Sequence, residues 1–303
     1  MPHTKTLRIK TAVATAGSEC VSLPVVLSDW QLVEPLAMRT DTAIYAARPV
    51  ADDGQHCQYC VKLVRPDAVH CEQAVALLRR EAFLGRKVFH PHLISTLEAN
   101  LEEPPYYLVM PLLEGRTLRQ QLDQNRLPSI SASLWFARQT AEALAALHAC
   151  GWLHSDVKPS NIFIAADGHV TLLDLGLVRQ LNETGSVVDR HIAGTFDYIA
   201  PEMFTSAVAA DQRSDIYSLG ATLYEMLSGQ LPHSARTLGE LASQHRQQKP
   251  RCIRSLRSDL PKAVARLLHR MLSKEPLRRP QSADEVVRSL VSLEIDSFCE
   301  QHQ

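Results

Sequence analysis

The stretch His154-Ser-Asp-Val-Lys-Pro-Ser-Asn161 is the densest polar cluster of the chain. It follows a predicted helix and precedes the apolar run Ile162-Phe163-Ile164, which is typical of a strand. In this one short loop, Asp156, Lys158 and Asn161 together can provide a base that orients a hydroxyl group, a partner for a phosphate and a metal ligand. We therefore interpret the segment as the centre of a phosphate-handling site.

A second carboxylate stands thirteen residues after Asn161, in the segment Leu173-Asp174-Leu175-Gly176. Asp174 ends an apolar run, and Gly176 permits a sharp turn after it. Asn161 and Asp174 would then lie on neighbouring strands of a hairpin as two oxygen ligands. Such ligands suit a hard cation, so the pattern predicts a magnesium site.

These motifs, with others that follow in order, resemble those of eukaryotic-type (Hanks-type) serine/threonine protein kinases over roughly residues 30–295. His154 to Asn161 matches the catalytic loop of that family, and Asp174 to Gly176 matches its DFG element with Leu175 in place of phenylalanine. The remaining large-lobe matches are Gly194-Thr195, Ala200-Pro201-Glu202, Asp215 and Arg279-Pro280. The short tails resemble those of soluble bacterial members of the family.

The resemblance implies an α+β, bilobal protein kinase fold, with a small antiparallel-sheet N-lobe that carries one helix and a larger, mainly helical C-lobe. The residue patterns agree, because strand-like runs fill residues 30–64 and helix-like patterns dominate after Gly115. We predict helices over 68–89, 137–148, 214–228, 262–273 and 282–295. The expected divisions are an extension or edge hairpin (1–28), a kinase domain (29–295) with N-lobe 29–110, hinge 111–115 and C-lobe 116–295, and a tail (296–303).

Two charged residues of the small lobe match the nucleotide-positioning pair of the family. Lys62 stands in Cys60-Val61-Lys62, and Glu81 precedes His90-Pro91 by nine residues on the predicted helix. By resemblance, the Lys62 ammonium, held by Glu81, meets the α and β phosphates of ATP. The alternative is an exposed strand lysine and a glutamate on the helix surface.

The adenine site follows from the same resemblance. Met110 is at the gatekeeper position, and Pro111 and Leu113 belong to the hinge. Proline keeps its carbonyl, so Pro111 can still accept from the adenine amine, while the backbone of Leu113 supplies the other contact. The side chains expected around the base are those of Ile44, Cys60 and Phe163; plain core packing explains the apolar ones equally well.

The nucleotide loop departs from the family pattern of three glycines. Ala37, Arg39 and Thr42 occupy the glycine positions, and no glycine occurs between Gly17 and Gly54. Side chains hold the backbone away from phosphates, so nucleotide affinity should suffer. The Arg39 guanidinium could supply the missing donors by its side chain, or it could point into solvent.

Two further departures concern regulation. Ser155 stands where kinases switched by phosphorylation of the activation segment carry arginine, so it cannot make a bidentate contact to a phosphate at Thr184 or Ser186. Gly85 stands where the family has a large side chain in a stack with His154, Leu175 and, as we align it, Leu97. We expect a gap in this stack and a helix 68–89 that is not locked inward unaided.

Composition narrows the classes of partner. Of the 303 residues, 32 are basic and 33 acidic, which gives a formal net charge of −1 and no broad positive field for nucleic acid. No run of 18 apolar residues appears, and the N-terminus lacks the apolar core of a signal peptide. We therefore expect a cytoplasmic protein that neither binds nucleic acid nor inserts into a membrane.

The function implied is transfer of the γ-phosphate of Mg-ATP to Ser/Thr hydroxyls of protein substrates, with possible autophosphorylation. Asp156 would orient the hydroxyl, Lys158 and Thr195 would support this aspartate and the transferred phosphate, and Asn161 and Asp174 would hold Mg²⁺. A pseudokinase-like signalling scaffold is the first alternative, because of the glycine-free loop. The second is a small-molecule phosphotransferase of the antibiotic-kinase type, which the segment Ala200-Pro201-Glu202 with its partner Arg279 argues against.

Overall fold

The described part of the chain forms a sheet-rich lobe followed by a helical lobe. The structure is a computed structural model that describes residues 25–52, 54, 56–181, 196–204, 210–235 and 237–301. This arrangement, together with the family assignment given below, confirms the α+β, bilobal prediction.

The small lobe is one antiparallel sheet with the strand order β1-β2-β3-β4-β6-β5. Val61 and Val109 pair across β4 and β6 and are fully buried on one face, which leaves their neighbour Lys62 on the other face, toward the large lobe. The first strand lies inside the segment that we expected to be an extension or edge hairpin. The strands are β1 Val25–Leu27, β2 Trp30–Met38, β3 Thr42–Pro49, β4 Tyr59–Val64, β5 Glu98–Asn100 and β6 Tyr107–Pro111.

The long helix α1 of this lobe spans Cys71–Lys87, slightly shorter than the predicted 68–89. Its buried face carries Leu78, Glu81, Ala82 and Gly85 at helical spacing. Glu81 is therefore presented inward by the same face that packs the helix on the sheet.

The expected gap beside Gly85 is absent, and the alignment on Leu97 is wrong. Thr96, which is 6% exposed, lies against Gly85, whereas Leu97 is 51% exposed. The Thr96 N–H donates to the Gly85 carbonyl at 2.9 Å, and a Cβ on Gly85 would meet Thr96 Oγ1 at 2.4 Å. The helix thus approaches the neighbouring segment as closely as a glycine allows, and backbone contact replaces a stack of side chains.

The large lobe is built around α3 and α4, which carry more of its buried apolar side chains than any other two helices. The helices predicted over 137–148, 214–228, 262–273 and 282–295 are confirmed as α3, α4, α7 and α8, whereas α2, α5 and α6 were not predicted. Across the residues described, no helix has the length and apolar character needed to span a membrane. The helices are α2 Leu118–Asp123, α3 Ile130–Ala149, α4 Gln212–Ser228, α5 Leu238–Gln247, α6 Ile253–Leu256, α7 Lys262–Met271 and α8 Ala283–Gln301.

Short strands join the lobe interface to the polar loop His154–Asn161. β7, β9 and β10 form one sheet, and β8 pairs with β11 in another. The loop lies between β8 and β9, at the mouth of the cleft between the lobes. The strands are β7 Arg116–Thr117, β8 Trp152–Leu153, β9 Ile162–Ile164, β10 Val170–Leu172 and β11 Arg179–Gln180.

Asp215 in the first turn of α4 holds the start of that loop. Its two carboxylate oxygens accept from the backbone N–H of His154 and of Ser155, each at 2.8 Å. His148 Nε2 donates to the same carboxylate at 2.9 Å, and Asp215 is buried. Three hydrogen bonds to one buried carboxylate fix the backbone that precedes Asp156.

The close contact at Gly85 makes a prediction about a substitution that is usually harmless. Gly85→Ala should destabilise the protein by about 1–3 kcal/mol, because the added methyl group overlaps Thr96. Replacing a mid-helix glycine by alanine ordinarily stabilises a helix by about 0.5–1 kcal/mol. Urea unfolding of wild type and variant measures the difference.

Gly239 is the matched control, because it lies in α5 and a Cβ there would meet nothing within 4 Å. Gly239→Ala should leave the free energy of unfolding unchanged or higher by up to about 1 kcal/mol. Equal effects of the two substitutions would show that the Gly85 contact does not constrain the helix.

Candidate active site

Asp156, Lys158 and Asn161 meet in the loop as expected. Lys158 Nζ lies 2.8 Å from Asp156 Oδ2, and Asn161 Nδ2 donates to the same oxygen at 2.7 Å. Asn161 Nδ2 also donates to the Asp156 carbonyl at 2.9 Å. Burial raises the pKa of Asp156 above its usual range, and the Lys158 ammonium opposes that rise. The carboxylate is held in one orientation by a cation and an amide.

Asp174 lies at the end of the β10 hairpin in a left-handed conformation, with φ +63°. This backbone is uncommon for a residue other than glycine and is typical of functional sites. Lys62 Nζ donates to Asp174 Oδ1 at 3.0 Å, and Arg39 Nη1 lies 3.9 Å from Oδ2. Burial alone would raise the pKa of Asp174, but the charges of Lys62 and Arg39 hold it below its usual range.

Lys62 and Glu81 form the expected ion pair. Lys62 Nζ donates to Glu81 Oε2 at 2.7 Å, and both residues are buried. Burial would lower the pKa of Lys62, but Asp174 and Glu81 together hold it above its usual range. The alternative of an exposed strand lysine and a helix-surface glutamate is wrong.

Helix α1 has a further connection to the segment after Asp174 that the sequence did not indicate. Arg80 Nη1 donates to the Val178 carbonyl at 3.0 Å, and His154 Nε2 bonds the Leu173 carbonyl at 3.1 Å. The inward position of α1 and the position of the Asp174 segment are therefore coupled.

The residues expected around adenine lie along the cleft edge of β4 and β6. Cys60 pairs with Met110 across these strands, and Cys60 Sγ donates to the Pro111 carbonyl at 3.6 Å. A carbonyl oxygen has two lone pairs, so Pro111 retains the capacity to accept a second hydrogen bond. Burial raises the pKa of Cys60 to about 12, which keeps it a thiol. Leu113 follows in the hinge, half-buried.

Ile44 and Phe163 come from the two lobes. Ile44 lies opposite Lys62 in the β3–β4 pair, and Phe163 is the central residue of β9. Both are half-buried, which is the exposure that residues lining a cleft have, and Ile44 packs against the apolar core.

Asn161 and Asp174 fit the predicted divalent cation. Leu173, next to Asp174, donates its backbone N–H to the Asn161 carbonyl at 2.8 Å, so the two residues are held on adjacent segments. The lowered pKa of Asp174 keeps this carboxylate ionised, and the amide supplies a neutral oxygen. Hard oxygen ligands of this kind are what Mg²⁺ prefers.

Two of the remaining predicted features lie outside the described residues, and the third is a contact within the large lobe. Thr195 and the candidate phosphorylation sites Thr184 and Ser186 fall outside the described residues. Glu202 and Arg279 form a bidentate pair, with oxygen–nitrogen distances of 2.6 and 2.8 Å, at a distance in sequence of 77 residues. Arg279 is fully buried against Tyr217, so the pair is a structural link in the large lobe.

Comparison with known proteins places this geometry in a family. The model of the protein kinase domain matches residues 47–291. The chain is 34% identical over 221 residues to the serine/threonine-protein kinase pkn2 of Myxococcus xanthus, covering 70% of this chain and 26% of that protein. It is 30% identical over 278 residues to the serine/threonine-protein kinase PknB of Mycobacterium tuberculosis, covering 89% of this chain and 44% of PknB.

A similar match is the serine/threonine-protein kinase PrkC of Bacillus subtilis, 28% identical over 207 residues, which cover 68% of this chain and 32% of PrkC. The chain thus spans less than half the length of each of these relatives. The match of the family model over most of the chain, on a fold that brings Lys62, Glu81, Asp156 and Asp174 into one cleft, shows that the chain belongs to the protein kinase domain family, among bacterial Hanks-type relatives.

Proposed function

We propose that the chain is an ATP-dependent serine/threonine protein kinase that transfers the γ-phosphate of Mg-ATP to Ser/Thr hydroxyls of proteins. The observation that carries the proposal is the contact of Lys62 with both Glu81 and Asp174, at 2.7 and 3.0 Å. This contact joins the nucleotide-binding lobe to the metal-binding segment in the arrangement that phosphoryl transfer requires.

Each residue of the loop has a distinct part in the reaction. Asp156 orients the acceptor hydroxyl and takes its proton. Lys158, whose Nζ lies 2.8 Å from Asp156 Oδ2, stabilises that carboxylate and the negative charge of the phosphoryl group during transfer. Thr195 is proposed to support Asp156. Asn161 and Asp174 would hold Mg²⁺, which supplies neutralisation of phosphate charge.

The nucleotide is positioned by the other lobe. Lys62 meets the α and β phosphates with Glu81 behind it. The hinge at Pro111 and Leu113 takes the adenine edge, with Met110 and Cys60 behind the base and Ile44 and Phe163 on its two faces. Apolar contact excludes water from the cleft and strengthens every charge interaction within it.

The pseudokinase scaffold remains the alternative function. The intact contacts of Lys62, Asp156 and Asp174 favour the enzyme, because a scaffold needs none of them. The second alternative, a small-molecule phosphotransferase, is disfavoured by the buried Glu202–Arg279 pair, which resembles the link that fastens the activation segment in protein kinases.

Proteins with Ser/Thr acceptors, including a second copy of the chain, are the proposed substrates, and the cytoplasm is the proposed location. The relatives reported above are named serine/threonine-protein kinases, which supports this substrate class. Nucleic acid is not expected as a partner, because the net charge is −1.

Asp156→Asn tests the enzymatic function directly. The amide cannot accept the hydroxyl proton, so transfer of labelled phosphate from Mg-ATP to a generic protein substrate should fall by at least about a hundredfold. Asp284→Asn, at an exposed position in α8, is the control and should retain wild-type activity. Wild-type activity in Asp156→Asn would contradict the assignment, and inactive wild-type protein would favour the scaffold.

Regulation is proposed to be independent of phosphorylation of the activation segment. Ser155 carries no guanidinium, and its backbone N–H is held by Asp215, so the loop is ordered without a phosphate. Phosphatase treatment, or the double substitution Thr184→Ala/Ser186→Ala, should change kcat/KM by less than about tenfold, equal to about 1.4 kcal/mol of activation free energy. A larger loss would show that another basic group reads the phosphate.

A further inference from the structure

The hairpin between β2 and β3 is a fixed turn in this chain. The Arg39 N–H donates to the Thr42 carbonyl at 2.8 Å, which closes the turn. The segment after β4 holds the tip from outside, because the Arg65 N–H donates to the Asp41 carbonyl at 2.9 Å and Arg65 Nη1 donates to the Arg39 carbonyl at 3.1 Å.

The carboxylate of Asp41 adds a third attachment. The His70 N–H donates to Asp41 Oδ1 at 3.1 Å, just before α1 begins. The hairpin that would carry glycines in other kinases is thus tied to the start of α1. Because the backbone at Arg39 is already fixed, less conformational entropy is lost when the Arg39 side chain binds a ligand.

The Arg39 side chain extends from this hairpin into the cleft. Its Nη1 lies 3.9 Å from Asp174 Oδ2, while the other oxygen of Asp174 accepts from Lys62. The side chain is 53% exposed, so water screens the contact with Asp174 and the guanidinium keeps donors free for a ligand. The alternative prediction, in which Arg39 points into solvent, does not describe this geometry.

The Arg39 guanidinium compensates an excess of carboxylate charge in the cleft. Among the described residues, Lys62 and Lys158 are the cations, besides Arg39, that pair with the carboxylates of Glu81, Asp156 and Asp174. Arg39 brings the cations to the same number as the carboxylates. A nucleotide whose phosphates approach Lys62 and Asp174 therefore meets a guanidinium where a glycine loop would offer only backbone N–H groups.

We propose that Arg39 is a ligand for the terminal phosphates of ATP and takes the place of the backbone donors that a glycine-rich loop provides. The proposal rests on the proposed function, since it concerns the same nucleotide. The guanidinium lies beside Asp174, at the metal end of the cleft, so it meets the β and γ phosphates. Affinity for AMP, which lacks these phosphates, should not depend on it.

The test measures nucleotide binding by calorimetry, without any turnover. Arg39→Ala should weaken Mg-ATP binding by about tenfold, as expected for one charge-assisted contact, and leave AMP binding within about twofold. In EDTA the loss of ATP affinity should exceed that in Mg²⁺, because no metal then shares the phosphate charge. Arg39→Lys should recover part of the affinity.

Arg48→Ala is the matched control, because Arg48 lies on the same hairpin, at the far end of β3, and bonds Gln31 and Gly54 instead. This substitution should leave the affinities for Mg-ATP and for AMP within about twofold of the wild-type values. Equal losses of ATP and AMP in Arg39→Ala would overturn the proposal in favour of a structural role. Tighter ATP binding would overturn it too, and would show that Arg39 competes for Asp174. Wild type that binds no Mg-ATP at millimolar nucleotide would refute the proposed function itself.

Discussion

The Lys62 ammonium between Glu81 and Asp174 is the interaction on which the rest of the cleft depends. Its contacts at 2.7 and 3.0 Å join β4 to α1, the next element of the chain, and to the segment after β10, 112 residues from Lys62. A buried charge without a partner costs several kcal/mol, so each of the three elements is stable in this position only while the others are present. Arg39, on a fourth element, adds its charge at the exposed side of the same carboxylate.

Contacts in the large lobe and on α1, outside the cleft, hold the residues of this arrangement in position. Asp215 holds the backbone of His154 and Ser155, which sets the position of Asp156. Gly85 lets α1 approach Thr96 closely enough for a backbone hydrogen bond, which sets the position of Glu81. Both are short contacts made to backbone groups, and neither needs a phosphate or a bound nucleotide. The cleft is therefore assembled before ATP binds.

The sequence predicts most of this cleft because its motifs have fixed spacing. Asp156, Lys158 and Asn161 lie in one loop, so their meeting needs no knowledge of the fold. The mistake over Leu97 has a physical reason: successive residues of an extended segment face opposite sides, and an alignment displaced by one residue exchanges buried Thr96 for exposed Leu97. The hydrogen bond from the His70 N–H to Asp41 is not predicted from the sequence, because a bond between residues 29 positions apart leaves no local pattern.

A double-mutant cycle on Lys62 and Glu81 tests the central interaction most directly. The free energies of unfolding of wild type, Lys62→Met, Glu81→Gln and the double variant are measured in urea without nucleotide. If the pair holds α1 against the sheet, Lys62→Met leaves the Glu81 carboxylate buried without a cation, a cost that the double variant removes, so the double variant should be more stable than additivity predicts by at least about 2 kcal/mol. Additive losses, within about 0.5 kcal/mol, would show that the ion pair does not fix the cleft and would contradict the account.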